Sequence, residues 1–143
     1  MKSRESIIRL HRFKVDEARR KLQALEGMKA ELEKKGSELE VTVAAEQRRA
    51  IEDEIGRYAY PGFARAINSR RDNLNKSLEL VEGQIAAAQE ELNAAYRELK
   101  KFELAEETRV RDVATRRSRR EQNEADDLTL TRFTNQRVPT GQN

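Results

Sequence analysis

Apolar side chains recur along most of this chain at alternating steps of three and four residues, the spacing that gathers them into one stripe on a helix. With Ile8 at position a of a heptad, the a series runs Ile8, Val15, Leu22, Lys29, Gly36, Val43 and Ala50. The d series runs His11, Ala18, Leu25, Leu32, Leu39 and Glu46. Gly56-Arg-Tyr-Ala-Tyr-Pro-Gly62 interrupts the pattern, which then resumes with Ile67, Leu74, Val81, Ala88, Ala95 and Phe102 at a, and with Leu78, Ile85, Leu92, Leu99, Glu106 and Val113 at d. Two stripes of matched length joined by a break bury each other by folding back. The pattern predicts an all-α fold, a long antiparallel two-helix coiled-coil hairpin.

The expected domain is a hairpin over residues 1–120, with helix one over about 4–55, a turn over 56–61 and helix two over about 62–120. A C-terminal tail over 121–143, helical in part or disordered, overhangs it. Ser3 or Ser6 serves as the expected N-terminal cap, Gly56 as a left-handed C-terminal cap and Pro61 as a first-turn residue of helix two. Each arm is then roughly 80 Å long. Placing a against a sets Val43 near Leu74, Leu39 near Leu78, Leu32 near Ile85, Leu25 near Leu92 and Val15 near Phe102. The same register leaves weak steps at Lys29 opposite Ala88 and Gly36 opposite Val81. Beyond Phe102 the seam is lost to Glu106, Arg109, Arg116 and Arg120.

Composition narrows the function. Of 143 residues, 36% are hydrophobic and 38% charged, and the mean hydropathy is −0.95. That suits a thin two-stranded seam and leaves no material for a deep, dry pocket. The net charge is +3 and there is no cysteine, so no disulfide framework or cysteine-based zinc site can form. No apolar run approaches the roughly 20 residues of a membrane span or the core of a signal peptide, and the chain reads as cytoplasmic.

No catalytic constellation emerges, and the expectation is a protein that is not an enzyme, with no cofactor, no metal and no small-molecule substrate. His11, the single histidine, occupies a seam position without triad partners. Adjacent acids such as Glu90-Glu91 and Asp126-Asp127 point about 100° apart on a helix and share no site. Two features point instead to protein docking. From Arg109 to Arg120 there are six arginines against one aspartate, and Arg4, Arg9, Arg12 and Lys14 are expected at the same end of the rod. At the turn, Tyr58, Tyr60 and Phe63 are three of the seven aromatics in the chain; they either cap the seam or form an anchor patch. The arginine segment lacks the interleaved aromatics of a base-stacking surface, which ranks an acidic protein surface above nucleic acid as its partner.

The block Met1-Lys-Ser-Arg-Glu-Ser-Ile-Ile-Arg-Leu-His-Arg-Phe-Lys-Val-Asp-Glu-Ala-Arg-Arg20, then Tyr58-Ala-Tyr-Pro-Gly-Phe-Ala-Arg65 at the turn, Arg70-Arg-Asp-Asn-Leu74 and Glu98-Leu-Lys-Lys-Phe-Glu-Leu104 follow one another in an informative order. In that order the chain resembles the FliJ family of bacterial flagellar export proteins, in its α-proteobacterial branch, over residues 1 to about 120. The resemblance implies a coiled-coil stalk of the flagellar type III export apparatus at the cytoplasmic face of the inner membrane. Its partners would be the hexameric export ATPase, the membrane export gate and export chaperones. It further implies that Arg9, Arg12, Arg116, Arg117, Arg119 and Arg120 enter the ATPase ring; the distribution of charge and aromatics makes the turn-proximal face of Tyr60, Phe63 and Ile67 the candidate gate contact. Two rival readings remain open, a generic coiled-coil adaptor and a nucleic-acid-binding coiled-coil arm.

Overall fold

The computed structural model describes residues 2–137, with side chains over 3–135. It consists of two helices, α1 over Lys2–Glu52 and α2 over Glu54–Arg137, with no strand among the described residues. The seam follows the sequence pattern closely on α1: every a and d position from Ile8 to Ala50 is buried or half-buried, and every other described side chain of that helix is exposed. On α2 the positions from Ile67 to Glu106 are likewise withdrawn from solvent, whereas Val113, assigned to d, is 50% exposed.

The chain divides into two compact units, Arg9–Leu99 and Met1–Ile8 with Lys100–Asn143. Within Arg9–Leu99 the two helices fold back antiparallel. Leu39, Val43 and Ile67 form the buried cluster, with Phe63 and Leu74 packed against it. Burial of one such side chain contributes about 1.5–3 kcal/mol, so stability is concentrated in these few layers. Three ion pairs cross between the helices: Lys21 with Glu91 at 3.1 Å, Lys29 with Glu82 at 3.7 Å, and Arg71 with Glu40 at 2.8 Å.

Those pairs correct the expected register. Lys29 meets Glu82, not the neighbourhood of Ala88, so helix two is displaced by about six residues from the a-to-a alignment. The reason lies in the turn. A shift of about one heptad still sets stripe position against stripe position, so periodicity does not choose between the two registers; the place of the turn does, and it lies at Asp53. Leu39 and Val43 accordingly cluster with Ile67, with Phe63 and Leu74 packed against them. Lys29 reaches out of its half-buried seam position to Glu33 at 3.9 Å as well as to Glu82, keeping its ammonium at the surface.

The turn also differs from expectation. It is one residue, Asp53, and not the segment 56–61. The Asp53 N–H donates to the Arg49 carbonyl at 2.9 Å and so closes α1; its own carbonyl accepts from the Arg57 N–H at 3.0 Å and so opens α2. Its side-chain Oδ1 accepts the Ile55 N–H at 3.2 Å, which makes Asp53 the N-cap. The Arg57 Nε donates to the Ala50 carbonyl at 3.3 Å, answering one of the acceptors that the end of α1 exposes. Gly56 is not a left-handed cap, since no described residue has positive φ. It lies in the first turn of α2, where a Cβ would come within 2.6 Å of the Arg49 carbonyl oxygen. Glycine is needed there for close approach between backbones.

Pro61 consequently falls inside α2, where it has no N–H to give the Arg57 carbonyl. Ser3 and Ser6 are not caps, because the helix is already under way at Lys2. At the other end helix two continues past residue 120 to Arg137, and the segment Leu128–Phe133 is helical. The expected turn-rich stretch Val138–Asn143 lies outside the described residues.

In the unit Met1–Ile8 with Lys100–Asn143, Arg4, Ile7 and Ile8 border a recess of about 400 Å³ together with Phe102, Ala105, Glu106 and Arg109. From residue 110 to 135 every side chain is exposed.

Candidate docking surfaces

Three places along the chain combine accessible charge or apolar surface with a defined backbone. The first is the turn. Tyr60, Phe63 and Ile67, one helical turn apart on α2, do come together, but as the cover of the hairpin seam. The Tyr60 hydroxyl accepts a hydrogen bond from Gln47 Nε2 at 3.3 Å, and its ring stands 6.3 Å from that of Phe63, tilted by 42°. Phe63 is half-buried against the Leu39–Val43–Ile67 cluster. Ile67 is 3% exposed and belongs to the core itself, so it offers no surface of its own while the hairpin is closed.

What the turn does expose is a different set. Ile51 is 77% exposed, Ile55 76% and Tyr58 92%. The signal for Ile51 and Ile55 was present in the sequence, because both are apolar positions outside the a/d stripe. Assigning the whole segment 56–61 to a loop hid the fact that Ile55 and Tyr58 share one face of the first turns of α2. Between Ile51 and Ile55 lie Glu52, Asp53 and Glu54, three carboxylates in succession.

The second place is the arginine segment of α2. Arg116, Arg117, Arg119 and Arg120 are all exposed and all belong to the unit that includes Lys100–Asn143, whereas Arg9 and Arg12, also exposed, belong to Arg9–Leu99. Arg117 pairs with Glu121 at 3.4 Å. Arg116, Arg119 and Arg120 have no ion-pair partner among the described residues. Arg116 and Arg120 stand four residues apart on one helical face, where like charges repel. A negatively charged surface brought against this segment relieves that repulsion and gains charge-assisted hydrogen bonds, for which the forked guanidinium is suited.

The third place is the recess beside Ile7, Ile8 and Phe102. At its rim Arg109 donates two hydrogen bonds to Glu106, from Nη2 at 2.6 Å and from Nε at 3.1 Å. That hydrogen bonding holds the Glu106 carboxyl below the usual carboxylate range and raises the Arg109 guanidinium further; nearby Arg4 acts on Glu106 in the same direction. Arg71 is raised in the same way by its two hydrogen bonds to Glu40. In all three the perturbing partner is an opposite charge in an ion pair, which is the signature of a strut and not of a group poised for proton transfer.

Among the described residues no cluster of three or more histidine, aspartate or glutamate side chains is placed to hold a metal ion, and no helix is long and apolar enough to cross a membrane. The half-buried His11 sits in the seam of α1.

The profile of the family described as Flagellar FliJ protein matches residues 1–138. No curated protein and no solved structure matches the chain.

Proposed function

Because the chain belongs to the flagellar FliJ protein family, whose role lies in flagellar export, we propose that it acts as a coiled-coil stalk of the type III export apparatus, docking in the export ATPase ring, promoting ATP turnover and coupling it to the membrane export gate. The observation that carries this reading is the pairing of a family match over nearly the whole chain with a helical hairpin. A hairpin encloses no substrate; it is suited to transmitting position between partners. The work of the molecule is thus mechanical and non-enzymatic, performed at the cytoplasmic face of the inner membrane. Export chaperones are further partners under the same reading.

Within it, Arg116, Arg117, Arg119 and Arg120, with Arg9 and Arg12, contact the ring. The exposure of all six supports this assignment, as does the absence of an ion-pair partner for Arg116, Arg119 and Arg120 among the described residues. The face around Tyr60 and Phe63 contacts the gate, with Ile67 beneath it as support. The deciding experiment mixes the full chain with a purified flagellar export ATPase and follows hexamer formation and ATP turnover. Stimulation is expected, and alanine at Arg116, Arg117, Arg119 and Arg120 should abolish it while weakening gate binding less. An unmodified chain that neither binds nor stimulates the ATPase would remove the stalk reading. Undiminished stimulation by the alanine variant would remove the ring assignment alone.

A further inference from the structure

We infer that the exposed stretch of α2 pairs antiparallel with the same stretch of a second copy, about a two-fold axis between Glu121 and Gln122, to form a reversible dimer. Every side chain over 110–135 is exposed. Yet the seam spacing of alternating three and four residues runs on through Val113, Arg116, Arg120, Asn123, Asp127 and Leu130. The hairpin leaves this stripe without an occupant, and its charges say what fits.

From Asp112 to Arg132 the charged residues read one acid, then the arginines 116, 117, 119 and 120, then the acids Glu121, Glu124, Asp126 and Asp127, then one arginine. Read backwards, that order is the same with every sign exchanged, so the stretch complements itself when two copies run antiparallel. The cations just before it, Arg109 and Arg111, are already tied to Glu106 at 2.6 Å and to Glu107 at 3.1 Å. Within it only Arg117 and Glu121 pair, at 3.4 Å; the remaining charges have no ion-pair partner among the described residues. Asp126 and Asp127 find no cation along their own helix, because the positions three and four residues away hold Gln122, Asn123, Glu124, Thr129, Leu130 and Thr131.

The same two-fold sets stripe against stripe. Val113, 50% exposed, faces Leu130 of the second copy, itself 63% exposed. Arg116 faces Asp127 of the second copy, and Arg120 faces its Asn123. Each contact is made twice, as in any isologous pair. On the flanks, Arg117 comes nearly level with Glu124 of the second copy, and Arg119 with its Asp126. The seam accommodates charge of this kind: in the hairpin Lys29 occupies it and carries its ammonium out to Glu33 and Glu82. A parallel pairing fails, since it sets Arg116 against Arg116 and Asp127 against Asp127. A uniformly acidic surface matches only the arginine half of the stretch. Two apolar layers and a few ion pairs make a weak interface, which comes apart on dilution and in salt. A second copy seated here covers Arg116 and Arg120, so the segment holds either its twin or an acidic partner, not both at once.

Pairing of this kind needs no export component, so the test uses the full-length chain alone. Sedimentation velocity over a range of concentrations, at low and high salt, should show a monomer–dimer equilibrium that salt weakens several-fold. Arg116→Glu and Asp127→Arg, each alone, set like charges together at both symmetric positions and are expected to weaken dimerisation about tenfold or more. Each also puts a charge of opposite sign beside Arg120 or Glu124 on the same helical face, so helicity by circular dichroism should hold. An equimolar mixture of the two variants should recover a dimer with one chain of each, because an acid then meets an arginine at both positions. A parent chain that is monomeric throughout would overturn the inference. So would a dimer that both substitutions leave intact, or variants that stay apart on mixing.

Discussion

The first turns of α2 and its stretch over 110–135 are equally helical, yet different forces hold them. Near the corner, helicity is enforced from outside: Gly56 is pressed against α1, Phe63 and Ile67 pack on Leu39 and Val43, and a proline is carried inside the helix at Pro61. A helix-interior proline costs about 3 kcal/mol or more, so only packing of this kind keeps that segment helical. Over 110–135 no side chain is withdrawn from solvent. Support there is local, from the i,i+4 pairs Arg111–Glu107 and Arg117–Glu121 and from threonine hydroxyls such as Thr115 donating to the carbonyl four residues back. Each surface pair contributes only about 0.3–0.5 kcal/mol, and a helix without tertiary contacts is marginal in water. One continuous element thus contains a rigid part and a part whose order depends on what it meets. Under the proposed docking role, that division lets the hairpin hold its form while the arginine segment adapts to a partner.

The sharpest way to break the comparison is truncation of the same kind of side chain in both places. Ile67→Ala should cost about 2–5 kcal/mol, read as a lowered denaturant midpoint. Val113→Ala should stay within about 0.5 kcal/mol. Equal losses would mean that residues near 113 are packed in solution. Native-state hydrogen exchange gives the same contrast without mutation: amides over 110–135 should exchange through openings of low free energy, and those around Leu39 and Ile67 near the global limit.

Two glycines sharpen it further. Gly56→Ala sets a Cβ against a backbone carbonyl that has no rotamer to yield, and an overpacked site of this kind costs about 1–3 kcal/mol. Gly36→Ala meets no atom within 4 Å and should gain up to about 1 kcal/mol through helix propensity. Thermal midpoints moving in opposite directions are expected. A stabilised Gly56→Ala would show that the corner is looser than its geometry implies.

The smallest effect belongs to acid. The Glu106 carboxyl is held low by Arg109 in the folded chain. Its contribution is therefore complete above the ordinary glutamate range and is lost as pH falls through its lowered value. Glu106→Gln should flatten the slope of stability against pH in that acid window and leave the neutral region almost unchanged.

Periodicity alone determined which residues form the seam: the alternation of three and four residues named every withdrawn position of α1, including Lys29, Gly36 and Glu46, where side-chain type argued otherwise. It also determined that the chain is helical and double-stranded, because burial follows a stripe whatever its partner. The FliJ resemblance was legible in the order of the N-terminal block, the aromatic turn and the arginine segment, and the family match bears it out. What depended on two segments meeting in space was not legible. The register needed the place of the turn, because alignments one heptad apart satisfy the stripe equally, the turn needed Asp53 to bond to both helices at once, and Gly56 needed a neighbouring carbonyl before its missing Cβ had meaning. Tertiary structure likewise decided that Ile67 is core while Ile51, Ile55 and Tyr58 are surface, because an apolar residue becomes one or the other only when something does or does not pack against it.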